Sequence, residues 1–172
     1  EIHIVLHGKI ESILDEVELR ALFGHEFGHH VLHQLDSGQH LQAWDALRAN
    51  CLDSNVHGAF LNSFRKLHLY TEIFCDRAAL EVVGDLNAVI SMLVKVTLGA
   101  TAVQASDFLA QAHEILSRSD SKRDDGTDGT GTDDTGTDGT THPEAYIRAC
   151  ALELYANKNP TLEKKLAGWI EG

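Results

Sequence analysis

The sequence predicts a single α+β domain that is predominantly helical, with a small strand or sheet at its N-terminus. Three observations lead to this prediction. The first seven residues alternate in polarity, most of the remaining chain has helical periodicity with recognisable caps, and residues 117–141 have a composition that cannot form a core. The 172 residues, 43% of them hydrophobic, suffice for one sizeable core, so residues 1–172 are expected to form one domain. The chain opens at Glu1 rather than Met, as a fragment of a longer protein would.

The N-terminal segment Glu1 to His7 has the alternation of a half-buried strand. Ile2, Ile4 and Leu6 fall on one face of an extended chain, and Gly8 follows them. A strand is therefore expected here.

A long helix is expected from about Asp15 to about His33. Asp15 and Glu18 have the spacing of a capping box, with Asp in place of the usual Ser or Thr. Gly24 and Gly28 lie inside this helix, although each costs about 1 kcal/mol relative to Ala there. The pair indicates that another element packs close to that face, or that the site needs room.

Six further helices are expected from periodicity and caps. They cover, approximately, residues 41–49, 59–83, 86–98, 107–116, 144–157 and 162–172.

Residues 117–141 consist almost entirely of Asp, Gly, Thr and Ser. Such a composition cannot bury enough apolar surface to offset the entropy of ordering, so a long solvated loop is expected. The alternative is a divalent-cation site. Gly126 occupies a ligand position of the EF-hand pattern and Thr135 an apolar position of the calcium-binding nonapeptide repeat, so the segment fits neither template.

The overall charge and the cysteines restrict the function classes. A formal net charge of −12 argues against nucleic acid as a partner. No apolar run approaches the roughly 20 residues of a membrane helix, although a longer parent protein could contain one. Cys51, Cys75 and Cys150 are odd in number and widely spaced, which favours small buried residues in a reducing compartment, cytoplasmic or membrane-associated, over a disulfide framework.

The sequence His25-Glu26-Phe27-Gly28-His29 is an H-E-x-x-H motif within the first long helix. Residues four apart lie on one helix face, so His25 and His29 can bind one zinc ion. Glu26 is rotated by about 100° from His25 and can reach a water at the metal as a general base. The alternative is a chance match in a chain with 11 histidines.

Glu72 and Asp76 are four residues apart on a mostly apolar helix. A catalytic zinc usually has three protein ligands, and Glu72 is the candidate for the third. Asp76 would then accept a ring N–H from a ligating histidine. The alternative is a pair of solvated carboxylates, with Asp76 bonded to a nearby arginine.

The order of these motifs resembles that of the gluzincin metallopeptidases, and more narrowly the HtpX-like and CAAX-prenyl-protease-like families. The resemblance covers most of residues 1–154. It rests on the segments Leu14 to His29 and Glu72 to Leu80, and on Thr141-His142-Pro143 followed by Arg148.

The resemblance implies a zincin-like α+β fold and one Zn²⁺ per chain, held by His25, His29 and Glu72 with Glu26 as the base. It also implies that the expected strand Glu1 to Leu6 pairs with an extended substrate by strand addition. Two features depart from the family: its membrane-spanning segments are absent here, and the Asp/Gly/Thr segment before His142 is unusual.

The resemblance also assigns three supporting residues. Asp76 would orient a zinc-bound histidine, His142 would steady the oxyanion, and Arg148 would hold its own segment against the Glu72–Asp76 helix. An imidazole can donate to a developing oxyanion. The alternative for His142 is a residue at a helix N-terminus on the edge of a loop.

The expected function is therefore that of a zinc-dependent metalloendopeptidase acting on a peptide or protein substrate. One alternative is a zinc-binding but latent domain that mediates protein interactions, and another is a helical interaction domain without metal.

Overall fold

The computed structural model describes residues 3–51, 57–123, 143–158 and 160–171, and these ranges form a bundle of eight α-helices. A 3₁₀ turn, Leu35–Gly38, joins the second helix to the third. The helices are α1 (Ile10–Ile13), α2 (Glu16–Gln34), α3 (Gln39–Cys51), α4 (Gly58–Val83), α5 (Leu86–Leu98), α6 (Ala105–Arg123), α7 (Pro143–Asn157) and α8 (Pro160–Glu171).

The expected α+β fold with an N-terminal strand or sheet is wrong. Residues 3–7 have no regular secondary structure, and the described ranges contain no strand with which they could pair. Ile4 and Leu6 are half-buried while Val5 is 67% exposed. The alternation therefore reflects one-sided packing of this segment against the helices, without the backbone pairing that defines a sheet.

The N-terminus of α2 is fixed by the capping box that its sequence predicts. The Asp15 carboxylate accepts the backbone N–H groups of Val17 and Glu18 at 2.9 Å, and Glu18 accepts the backbone N–H of Asp15 at 2.8 Å. The buried Glu18 also accepts hydrogen bonds from Ser91 and Lys95 of α5. The Glu18 carboxylate therefore completes the N-terminal cap of α2 and also connects α2 to α5.

Helices α2 and α4 cross very closely at the two glycines of α2. A Cβ atom at Gly28 would lie 2.9 Å from the Cα of Cys75, and one at Gly24 would lie 3.0 Å from the Cα of Ala79. Real Cβ atoms essentially never approach as closely as 2.9 Å, so this separation requires glycine at position 28, and a Cβ at Gly24 would make a contact tighter than nearly all real ones. The histidines of α2 consequently lie beside the carboxylates of α4.

The core has two apolar clusters, and α7 contributes to both. The first joins α2, α4, α5, α6 and α7 and includes Ile90, Leu93 and Leu152. The second joins α4, α6, α7 and α8 and includes Leu116 and Cys150. Helix α7 is therefore held from two sides at the level of the candidate site.

Most of the helix boundaries agree with the sequence predictions within a few residues, but two do not. Helix α1 was not expected, and α6 continues to Arg123, so the first residues of the expected loop are helical. The remainder of the expected loop, residues 124–141, lies outside the described ranges. No helix in the described ranges combines the length and apolarity that crossing a bilayer requires.

We predict that Gly28→Ala destabilises the protein although it improves helix propensity. The added Cβ would force α2 away from α4, and the overpacking should outweigh the propensity gain, lowering the free energy of unfolding by about 1–2 kcal/mol. The matched control is Gly168→Ala in α8, where an added Cβ meets nothing within 4 Å. Urea unfolding should show this control to be neutral or more stable by up to about 1 kcal/mol. Equal stabilisation by both substitutions would contradict the close crossing.

Candidate metal centre

His25 and His29 present their ring nitrogens to one point on the face of α2. Their Nε2 atoms lie 3.2 Å apart. His25 is 7% exposed, and His29 is half-buried at the wall of a cavity. Two imidazoles that converge in this way can supply two of the ligands of one metal ion.

Glu72 of α4 meets both rings from the opposite helix. One carboxylate oxygen lies 3.5 Å from the Nε2 of His25 and the other lies 3.5 Å from the Nε2 of His29. Two donors of a tetrahedral zinc, each about 2.1 Å from the ion, are roughly 3.4 Å apart. The structure therefore brings the three sequence-predicted ligands together at spacings that fit zinc.

Asp76, one turn after Glu72 on α4, is completely buried behind the histidines. Its Oδ1 accepts a hydrogen bond from the Nδ1 of His25 at 3.0 Å. Because a carboxylate only accepts, this bond keeps the proton of neutral His25 on Nδ1 and leaves Nε2 available to a metal. The solvated pair of carboxylates considered above is excluded by this burial.

Arg148 of α7 completes the polar network. Its guanidinium donates to both oxygens of Asp76 at 2.7 Å and lies 3.1 Å from Glu72. Asp76 therefore contacts both a candidate ligand, His25, and an arginine. The sequence offered these two contacts as alternative interpretations of Asp76, and the structure contains both. The arginine joins α7 to the same two carboxylates that the resemblance placed it against.

Glu26 lines two cavities that meet at the candidate centre. The first, of about 280 Å³, is also lined by His25, His29, Glu72 and Arg148. Its apolar wall comes mainly from α5 and consists of Leu22, Met92, Leu93, Val96 and Thr97. The second, of about 420 Å³, shares Glu26 and His29 with the first and is also lined by residues 3–7. Glu26 therefore faces space that a substrate could occupy.

His142, the predicted oxyanion residue, lies outside the described ranges. The nearest described position is Pro143, where α7 begins.

Cys75 is a functional candidate that the sequence interpretation missed. It was expected to be a small buried residue, and its exposure is indeed 0%. However, its sulfur and the ligand nitrogens of His25 and His29 all lie within 4.8 Å of one another. The available signal was its position three residues after Glu72, which places both on neighbouring parts of one helix face.

The network changes the pKa values of its members strongly in the metal-free protein. Burial alone would lower the pKa of His25, but its contacts with Asp76 and Glu72 outweigh burial and raise the pKa to about 9. Burial alone would raise the pKa of Glu72, but His25 and the positive charge of Arg148 lower it to about 2. Burial and the neighbouring His25 lower the pKa of His29. Near neutral pH the centre therefore contains an anionic Glu72 and a proton on His25 that a metal must displace.

Comparisons with protein-family models, curated proteins and solved structures gave no match to this chain. The family resemblance therefore rests on the motifs themselves and stays a prediction.

We predict that Asp76→Asn weakens both folding and zinc binding. The substitution removes one of the two carboxylate partners of buried Arg148 and leaves only Glu72 in contact with it, which should cost up to about 3–5 kcal/mol of stability. It also replaces the charged acceptor that orients His25 with a neutral amide oxygen, a weaker acceptor, which should reduce zinc affinity by about 10–100-fold. Urea unfolding and competition with a zinc chelator measure the two effects. The control is Glu81→Gln, an exposed carboxylate on the same helix, and similar losses in that variant would contradict the role of Asp76.

We predict opposite pH dependences of stability for His25 and Glu72 in the metal-free protein. The folded pKa of His25, about 9, exceeds its ordinary value of 6.5, so its contribution is complete below pH 6.5 and disappears as the pH rises through 9. The folded pKa of Glu72, about 2, is below its ordinary 4.5, so its contribution is present above pH 4.5 and disappears as the pH falls through 2. Thermal unfolding in a chelator should show that Glu72→Gln reduces the loss on the acid side. If Glu72→Gln and the wild type lost the same thermal stability at acid pH, the pH dependence assigned to Glu72 would be wrong.

Proposed function

We propose that this protein is a zinc-dependent metallopeptidase related to the HtpX-like and CAAX-prenyl-protease-like families. The observation that carries the proposal is the convergence of His25, His29 and Glu72 beside a cavity lined by Glu26. The proposal requires the α2–α4 helix pair, which positions all four residues. It does not require a sheet.

The chemistry of the donors fits zinc. Two imidazoles and one carboxylate form a common catalytic zinc set, with one position left for water. When bound, zinc would supply Lewis acidity, lowering the pKa of a water to about 7 and polarising a carbonyl. His25 and His29 would hold the ion through Nε2, and Asp76 would keep the proton of His25 on Nδ1.

Glu26 is the general base of the proposed reaction. It follows His25 directly, so its side chain points about 100° away around the helix axis and into the cavity instead of toward the ligand position. From there it takes a proton from the attacking water and returns it to the leaving amine. The resemblance assigns stabilisation of the oxyanion to His142.

The two cavities support a peptide as the substrate. Glu26 and His29 line both cavities, so an extended chain that crosses the centre can place a side chain in each. The α5 wall formed by Met92, Leu93 and Val96 favours an apolar side chain in the smaller cavity.

A second candidate function is that of a latent zinc-binding domain that mediates protein interactions. The observation that favours it is Cys75, whose sulfur lies close enough to both histidines to act as an additional donor. A fourth protein ligand would fill the position that a catalytic water needs.

We predict that the wild type binds one zinc per chain and hydrolyses an unfolded protein such as casein. Glu26→Gln should retain the zinc and lose at least about 100-fold in hydrolysis, because the base is removed while the ligands are intact. His25→Ala should lose both. Elemental analysis and release of soluble peptides are the measurements.

The matched control is His30→Ala, which removes a neighbouring histidine of α2 outside the proposed ligand set. It should keep its zinc. Zinc without hydrolysis in the wild type would favour the latent domain, and a wild type without zinc would overturn both candidate functions.

A further inference from the structure

We propose that Cys75 supplies a fourth protein ligand to the metal, so that the resting centre is a closed set of His25, His29, Glu72 and Cys75. This inference rests on the proposed metal site but not on peptide hydrolysis. It adds a donor that neither the H-E-x-x-H motif nor the downstream E-x-x-x-D motif contains.

The position of Cys75 directs its sulfur toward the two histidines. The residue lies on the face of α4 that contacts α2, directly opposite Gly28. A Cβ at position 28 would lie 2.9 Å from the Cα of Cys75 and 3.2 Å from its Cβ. Because glycine has no side chain, Cys75 approaches α2 closely, and its sulfur comes within 4.8 Å of the ligand nitrogens of His25 and His29.

The surroundings of Cys75 differ from those of the other buried cysteine. Cys150 packs within the second apolar cluster. Cys75 is equally buried but belongs to neither apolar cluster, and its thiol makes no hydrogen bond within the described part of the chain. A buried thiol beside two imidazoles and Glu72 is better placed to bind a metal than to extend the core.

The binding of Cys75 to zinc needs no reactant other than water. A thiol that binds zinc is deprotonated outright, so the S–H bond breaks as the Zn–S bond forms and the proton passes to water. With a Zn–S distance of about 2.3 Å and a Zn–N distance of about 2.1 Å, the sulfur and nitrogen donors of a tetrahedral site lie roughly 3.6 Å apart, a separation that side chains within 4.8 Å of one another can reach.

A fourth protein donor closes the resting centre until one donor leaves. Four protein ligands fill a tetrahedron, as in structural zinc sites, whereas a catalytic site keeps one position open. Hydrolysis would then require one donor to leave. Cys75 is the donor expected to leave, because Glu72 is held in place by Arg148.

Cobalt substitution tests this inference directly. Co²⁺ replaces Zn²⁺ in tetrahedral sites, and a bound thiolate adds an intense near-ultraviolet charge-transfer band. The wild type and the control variant Cys150→Ala should show this band, and Cys75→Ala should lack it while still binding cobalt. The zinc affinity of Cys75→Ala should fall at least tenfold relative to the control, with circular dichroism confirming that both variants are folded.

A second measurement needs no variant. Cadmium-113 NMR of the wild type should show a resonance in the range expected for one thiolate ligand, which keeps the inference testable if Cys75→Ala does not fold. Cobalt bound with its visible bands but no thiolate band in the wild type would overturn this inference and leave the proposed peptidase intact. A wild type that binds no metal would overturn both.

Discussion

The arrangement of the candidate centre depends on one buried carboxylate, Asp76. It accepts hydrogen bonds from His25 of α2 and from Arg148 of α7, and it is itself part of α4, so three helices meet at one charge. Removing a carboxylate from water is costly unless its oxygens are fully paired, and here both are. Any displacement of these helices would leave one partner unsatisfied in the interior. The same hydrogen bonds set the tautomer of His25 and the location of Arg148 against Glu72.

The close crossing of α2 and α4 makes this network possible. Gly24 and Gly28 allow the helices to approach closely, so the ligands on the two helices reach one point without long side chains. The same approach brings Cys75 beside the two histidines. The open set of His25, His29 and Glu72 and the closed set that adds Cys75 therefore arise from the same helix pair, and the difference between a peptidase and a latent zinc domain lies in the position of one sulfur.

Local sequence rules predicted α2 and the residue pairs His25/His29 and Glu72/Asp76. They could do so because each of these features depends on residues three or four positions apart in one helix. The capping box at Asp15 and the H-E-x-x-H spacing are properties of one helix and need no knowledge of the fold. The N-terminal strand was predicted wrongly because alternation reports which side chains are buried, as Ile4 and Leu6 are, and not what the backbone pairs with. The proximity of Cys75 to His25 depends on how two helices cross, and no periodicity encodes it.

Zinc K-edge X-ray absorption of the zinc-loaded wild type would show directly whether His25, His29 and Glu72 bind one zinc ion. We expect two imidazole nitrogens and a carboxylate oxygen at about 2.0–2.2 Å, with one sulfur at about 2.3 Å if Cys75 is bound. A shell with nitrogen and oxygen alone would retain the centre without its fourth ligand. Zinc surrounded by oxygen without imidazole scattering, or zinc lost on dialysis, would contradict the account.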